Sequence, residues 1–96
     1  MNQLSEIGMN LFQLLETKIG WKKNEKSLIE LYYCSLTSED FALNALQLYI
    51  FLMVVEDEYM IRIDKNDLQK YGFRTLDNVE AIICSKQSHS RTISAI

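Results

Sequence analysis

The strongest constraint on this chain is an almost unbroken apolar run at its centre. Among the fifteen residues 41–55, only Asn44 and Gln47 are not apolar. The run is too short to cross a bilayer, which takes about 20 apolar residues. Because Asn44 is a suitable helix cap, the run predicts a helix from residue 45 to about residue 60.

A helix of this sequence has an apolar band too wide for a single face of a bundle. One face carries Leu48, Phe51, Leu52, Val55 and Tyr59, and another carries Leu46, Tyr49, Ile50 and Met53. Two interpretations stay open: either the helix is buried on all sides, or the first face is core and the second face binds a partner. A chain of 96 residues has little material with which to cover a central helix completely.

Size and composition indicate one small domain. With 48% apolar residues, no proline and three glycines, the chain is predicted to be compact and all-α. A domain of this size buries roughly 60 to 65% of its unfolded surface, which leaves little room for an enclosed cavity. The only histidine, His89, has no serine or cysteine arranged with it for catalysis. We therefore expect a protein that is not an enzyme.

Charge and cysteine usage narrow the possible partners and compartments. Ten basic against thirteen acidic residues give a net charge of −3, which argues against nucleic-acid binding. Cys34 and Cys84 lie fifty residues apart without a CxxC motif, so we expect reduced thiols and no metal site. No signal-peptide pattern is visible, and no segment is predicted to enter a membrane. These observations predict a cytoplasmic protein.

Four other segments complete the predicted helical pattern. The first helix covers residues 2–19 with Asn2 as its cap and Gly20 at its end. Residues 25–34 fit either a helical turn within a long loop, which the spacing favours, or a short extended stretch over residues 29–33. Asp64 is predicted to cap a short helix over residues 65–71, which ends at Gly72. Thr75 is predicted to cap a last helix that ends near residue 86, and residues 85–96 are predicted to form a flexible tail.

Three segments share an order and a spacing with a known family. They are Leu36-Thr-Ser-Glu-Asp-Phe41-Ala-Leu-Asn44-Ala45-Leu46, then Glu56-Asp-Glu-Tyr59-Met-Ile-Arg-Ile63, then Thr75-Leu-Asp-Asn-Val-Glu-Ala-Ile-Ile83. Together they resemble the acyl and peptidyl carrier proteins, a four-helix family that shuttles thioester-bound intermediates. The resemblance spans residues 36–83, half of the chain. It implies a four-helix bundle with a short third helix, formed by residues 1–84.

The resemblance also implies a function, a cofactor and partners. Carrier proteins hold an acyl or aminoacyl group as a thioester on 4′-phosphopantetheine and present it to enzymes. Residue 45 corresponds to the family's attachment serine, so Asn44, Ala45 and Leu46 mark the implied cofactor site. The implied partners are a phosphopantetheinyl transferase and biosynthetic enzymes such as adenylation, condensation or acyltransferase proteins, with no nucleic acid and no membrane. The uncharged central helix is similar to that of peptidyl carriers of nonribosomal synthetases.

The departures from the family fall on the attachment motif. Ala45 replaces the serine, Asn44 replaces the preceding aspartate, and Ala42 stands at the position of a family glycine. Alanine has no oxygen to which the phosphopantetheine could be joined. Either a carrier's serine has been replaced in this form, which we favour because Leu46 and the rest of the helix keep the spacing, or the chain is a natural pseudo-carrier, a helical adaptor that only binds a protein.

Partner contacts are predicted on the second face of the central helix and just beyond it. The expected contacts are Leu46, Gln47, Tyr49, Ile50, Met53 and Ile63. Residues 38–68 hold seven acids against two bases, a local charge of −5 that favours a basic partner. The acids at 56–58 lie near the end of the helix, where they oppose its dipole, so something other than local electrostatics must keep them there.

Overall fold

The computed structural model describes residues 4–94, with side chains described as far as residue 87. The helices are α1 (Glu6–Leu14), which continues as a π-helical segment (Leu15–Ile19), α2 (Leu28–Tyr32), α3 (Ala45–Tyr59), α4 (Lys65–Tyr71) and α5 (Leu76–Ser94). These residues contain no strand, which confirms the all-α class. Within the same residues, no helix combines the length and the apolar character that crossing a bilayer requires.

Short polar side chains define where the helices begin. Ser5 caps α1, since its Oγ accepts a hydrogen bond from the Gly8 amide at 3.0 Å. The predicted cap, Asn2, lies outside the described residues. Asp64 caps α4 as predicted: its carboxylate accepts from the Asp67 amide at 3.0 Å, and the Asp67 carboxylate accepts from the Asp64 amide at 2.9 Å. Such reciprocal bonds satisfy two amides that a helix leaves without partners.

The predicted ends of two helices are confirmed at glycines. Gly20 has φ +88° and ends the π-helical segment, and Gly72 has φ +81° and ends α4. Glycine adopts positive φ without the steric cost that a β-carbon would bring. The π-helical turn at Leu15–Ile19 has no counterpart in the sequence prediction.

Helix α5 is longer than predicted. The sequence pattern favours an end near residue 86 followed by a tail, but the helix continues to Ser94. Residues 85–94 lack glycine and proline, and their lysine, glutamine and arginine have good helix propensity, so nothing local ends the helix there. The proposed boundary between residues 84 and 85 is therefore not the end of a helix.

Helix α3 supplies the centre of the core. Its Phe51 and Val55 are fully buried. They share one apolar cluster with fully buried residues of the first and last helical segments, namely Leu11, Leu15, Val79, Ile82 and Ile83. Leu48, Leu52 and Tyr59 pack partly buried against this cluster. The first predicted face of α3 is thus the core face.

Trp21 holds the long loop before α3 against α1. Its ring centroid lies 5.8 Å from that of Phe12 and 4.9 Å from that of Phe41. The Trp21 Nε1 donates a hydrogen bond to the Asp40 carbonyl at 2.9 Å, so the polar edge of the buried indole is satisfied. The sequence places Trp21 in a turn, but its role is to fix the chain just before α3.

Glu80 links α5 to the start of α1 and to the end of α2. Its Oε2 accepts a hydrogen bond from Ser5 Oγ at 2.7 Å, and its Oε1 accepts one from the hydroxyl of Tyr32. Tyr32 is buried at the end of α2, beside Gly8 of α1. One carboxylate therefore ties α1, α2 and α5 together.

Candidate functional site

The start of α3 is an exposed, well-formed helix end. Asn44 is the cap: its Oδ1 accepts a hydrogen bond from the Gln47 amide at 2.8 Å, and Gln47 Oε1 accepts one from the Asn44 amide at 3.0 Å. Ala45 is the first helical residue, and its side chain is exposed. A group attached at residue 45 would stand in solvent beside the first-turn amides, which form the positive end of the helix dipole.

The chain enters this helix through a residue in the left-handed region. Ala42 has φ +53°, and its amide donates to the Ser38 carbonyl at 2.6 Å. A left-handed conformation costs an ordinary residue roughly 1–2 kcal/mol relative to glycine. Residue 42 is therefore a position at which this backbone favours glycine.

Ala42→Gly is expected to raise the free energy of unfolding by about 0.5–1 kcal/mol, because relief of the left-handed strain exceeds the added entropy of the unfolded chain. Urea unfolding followed by circular dichroism measures the difference. Ala45→Gly is the matched control: residue 45 is the first residue of α3 and has no left-handed strain, so glycine there should lower the stability, by up to about 1 kcal/mol. Equal losses in both variants would contradict the strain at residue 42.

The second predicted face of α3 is exposed and carries no charge from residue 46 to residue 53. The exposed fractions are 65% for Leu46, 62% for Tyr49, 39% for Ile50 and 49% for Met53. These four residues, called the α3 strip below, lie on one side of the helix because their spacing follows the helical repeat. Of the two interpretations left open by the sequence, the structure agrees with the one in which this face is free.

Two of the six predicted partner contacts, Ile63 and Gln47, are less exposed than the α3 strip. Ile63 is only 8% exposed and belongs to the core, so its prediction as a partner contact is wrong. Its amide donates to the Glu56 Oε2 at 2.7 Å, which turns the chain back after α3 and directs the side chain inward. Gln47 is half-buried and its side-chain oxygen is occupied in the helix cap.

Met60 is 91% exposed at the end of α3, where its φ of +53° ends the helix.

The nearby hydroxyls lie in the loop before α3 and form hydrogen bonds within that loop. Ser35 Oγ and Thr37 Oγ1 are 3.0 Å apart, and Ser38 Oγ donates to the Ser35 carbonyl at 2.6 Å. Ser35 and Thr37 also border an open cleft of about 320 Å³ beside Leu48 and Arg74. None of these three hydroxyls lies at the start of α3.

Ion pairs with lysines offset part of the negative charge that the sequence predicts around α3. The Lys26 ammonium lies 2.9 Å from the Asp40 carboxylate, and this hydrogen bond holds the pKa of Asp40 below its usual value. Lys86 lies 2.9 Å from Asp67, and that contact raises the pKa of the lysine. Both lysines lie outside residues 38–68, so including them changes the balance to seven acids against four bases, a charge of −3.

The acids at the end of α3 have separate roles. Glu56 accepts from the amide of Ile63, and Glu58 Oε2 accepts from Asn10 Nδ2 at 3.1 Å. These bonds explain why two acids are kept where the helix dipole opposes them. Asp57 is exposed, and its carboxylate contacts no hydrogen-bond or ion-pair partner in the described part of the chain. Asp57 continues the line of the α3 strip, four residues after Met53.

Comparison with protein-family models, curated proteins and solved structures gives no match. The site therefore has to be interpreted from its own geometry: an exposed helix start at residue 45, followed by an uncharged exposed strip.

Proposed function

We propose that this chain is a carrier-protein-type helical domain that presents α3 to a protein partner, and that with Ala45 it carries no prosthetic arm. The observation that carries the proposal is the position of residue 45. It is the first, exposed residue of α3, and the α3 strip begins at the next residue. In the carrier family the arm is attached at such a position and partners contact the adjoining helix.

The order of the helices supports the proposed carrier type. A long first helical segment, a long loop, a long α3, a short α4 and a long α5 follow the order that the resemblance implies. The additional helix, α2, lies within the loop between the first segment and α3. The proposed architecture is a four-helix carrier-like bundle in which α4 is the short third helix.

The phosphopantetheine itself does not fit the residues present. Ala45 offers a methyl group where a phosphodiester needs a hydroxyl oxygen. The surroundings of the methyl group still suit a phosphate, because the position is exposed and adjoins the amides of Ala45 and Leu46, although the Gln47 amide is occupied by the Asn44 side chain. With serine at this position, the expected partners would be a phosphopantetheinyl transferase and adenylation, condensation or acyltransferase proteins.

A second candidate, a pseudo-carrier adaptor that never bears an arm, is favoured by a specific observation. Three motif positions differ from the family together, at Ala42, Asn44 and Ala45. Ala42 keeps the left-handed backbone at the glycine position even though alanine is strained there. A single replacement of the serine would have left the other two positions intact, so the joint change supports natural divergence.

Loading with the arm tests the carrier proposal. Ala45→Ser and the double variant Asn44→Asp/Ala45→Ser are incubated with coenzyme A, Mg²⁺ and a phosphopantetheinyl transferase of broad specificity, and the intact mass is measured. We expect the mass of one phosphopantetheine to be added to each of the two variants. The parent chain is the matched control, because it retains Ser35, Thr37 and Ser38 and should stay unmodified.

Each outcome of this experiment has a definite meaning. Modification at residue 45 supports the carrier type and shows that only the oxygen is missing. If both variants stay unmodified while an established carrier is loaded under the same conditions, the carrier proposal fails and the adaptor remains. Modification of the parent chain would contradict the assignment of residue 45.

A further inference from the structure

We propose that the α3 strip is the interface of an antiparallel homodimer in solution, with Asp57 of each copy beside the start of α3 in the other. The proposal names a second copy as the protein partner to which α3 is presented, and it rests on the proposed function in that respect alone; it concerns the chain with alanine at residue 45 and does not depend on attachment of an arm. It accounts for two features of α3. One is the exposed apolar strip, and the other is Asp57, which continues the strip and has no hydrogen-bond or ion-pair partner among the described residues.

The strip is complementary to itself when two copies of α3 run in opposite directions. Leu46 and Met53 lie on either side of Tyr49 and Ile50, so a two-fold axis between residues 49 and 50 places each Leu46 opposite a Met53. These positions extend over about 10 Å of helix. Because residues 46–53 are uncharged, such a contact buries no charge.

The two ends of α3 are also complementary to each other. Helix α3 has no acidic residue in its first turn and no basic residue in its last turn. In the antiparallel register, Asp57 of one copy lies about 4–5 Å beyond Ala45 of the other along the helix axis, next to the first-turn amides of that copy. The carboxylate then lies near the positive end of a helix dipole instead of the negative end of its own. The contact occurs twice by symmetry.

Most acids near α3 are already paired, which leaves little free charge along the strip for a strongly basic partner to contact. Lys26 and Lys86 pair with acids near α3, and the remaining acids on its last turn are held by Ile63 and Asn10. Asp57 is thus the acid that the strip itself presents, and a second copy offers it a positive helix end. Four side chains make a small interface, below about 1,200 Å² in total, so the dimer is expected to be weak and concentration-dependent.

Analytical ultracentrifugation of the full chain tests the proposal. We expect the mean mass to rise from one chain towards two as the concentration increases from about 10 µM to about 1 mM, the range of weak association. Ile50→Glu places two like charges near the two-fold axis and should lower the association constant at least about tenfold. Leu68→Glu on α4 is the matched control, since Leu68 is 36% exposed and Ile50 is 39% exposed.

Asp57→Lys distinguishes the proposed geometry from general charge effects. It makes the acidic chain less negative, which by itself would favour association. In the proposed dimer it places a cation at the positive end of the partner's α3 and should weaken association at least about threefold. Stronger association of Asp57→Lys would overturn the proposed contact.

Cross-linking tests the orientation. Leu46→Cys and Met53→Cys are made separately in a Cys34→Ser/Cys84→Ser background, which removes the two native thiols. On mild oxidation, a mixture of the two chains should give mainly the mixed 46-to-53 disulfide. Predominance of 46-to-46 disulfides would overturn the antiparallel arrangement. A parent chain that stays monomeric over the whole concentration range, or an Ile50→Glu variant that associates like Leu68→Glu, would overturn the dimer itself.

Discussion

Replacement of Phe51 by alanine is expected to lower the free energy of unfolding by about 3–5 kcal/mol, a large part of the about 5–15 kcal/mol by which ordinary domains are stable. Phe51 is fully buried in α3, and its ring centroid lies 5.9 Å from that of Phe73. Truncation removes the apolar area and leaves a cavity that the surrounding helices fill only in part.

Tyr49→Ala is the control for this prediction because it lies two residues away on the opposite face of the same helix. Tyr49 is mostly exposed, so its loss should change the stability by no more than about 0.5 kcal/mol. Urea unfolding of both variants, followed by circular dichroism, gives the comparison. Similar losses in the two variants would contradict the division of α3 into a core face and a free face.

The division of α3 into two faces was predictable because it depends on local spacing. Residues three and four apart share a face of any helix, so the sequence alone grouped Phe51 with Val55 and Leu46 with Ile50. Which group faces the core depends on the helices that pack against α3, and this packing is seen only in the structure. The start of α3 at Asn44 was predictable for a similar reason, since a capping side chain acts within one turn.

Features that depend on distant contacts were missed. The sequence predicts Ile63, just beyond α3, as a partner contact, but its amide bonds to Glu56 and its side chain lies in the core. The helix-ending glycine before Trp21 predicts a turn there, but Phe12 and Phe41 pack against the buried indole. In both cases the residue that determines the position of the side chain lies several to twenty residues away along the chain, and the local sequence pattern does not indicate it.

The contact between Tyr32 and Glu80 was likewise absent from the sequence prediction, because forty-eight residues separate its partners. It supports the second stability prediction. Tyr32→Phe is expected to lower the free energy of unfolding at neutral pH by about 1.5–3 kcal/mol, the usual value for a hydrogen bond to a charged group. Of the two hydrogen bonds that the Glu80 carboxylate accepts from Ser5 and Tyr32, only the one from Ser5 Oγ would then remain.

The effect of Tyr32→Phe is expected to shrink in alkaline solution. Burial, with the hydrogen bond to Glu80 and its negative charge, raises the pKa of Tyr32 well above its ordinary value of 10.0 in the folded protein. Asp77 and Tyr33 are its other charged and titratable neighbours. The unfolded chain therefore loses the Tyr32 proton first as the pH rises through about 10. The contribution of Tyr32 is complete below that pH and decreases above it, by up to about 1.4 kcal/mol per pH unit.

The measurement is the free energy of unfolding of parent and variant between about pH 7 and pH 12, which brackets the ordinary tyrosine pKa. Tyr33→Phe is the matched control, since Tyr33 is the next residue and is 62% exposed. The Tyr33 variant should follow the parent curve, whereas the Tyr32 variant should start lower and approach the parent above about pH 10. Because both variants keep the same lysines, loss of the Lys26 and Lys86 ion pairs affects them equally. A constant difference between parent and Tyr32→Phe across this range would show that the hydroxyl of Tyr32 ionises alike in the folded and unfolded chains, and would contradict its role as a buried donor to Glu80.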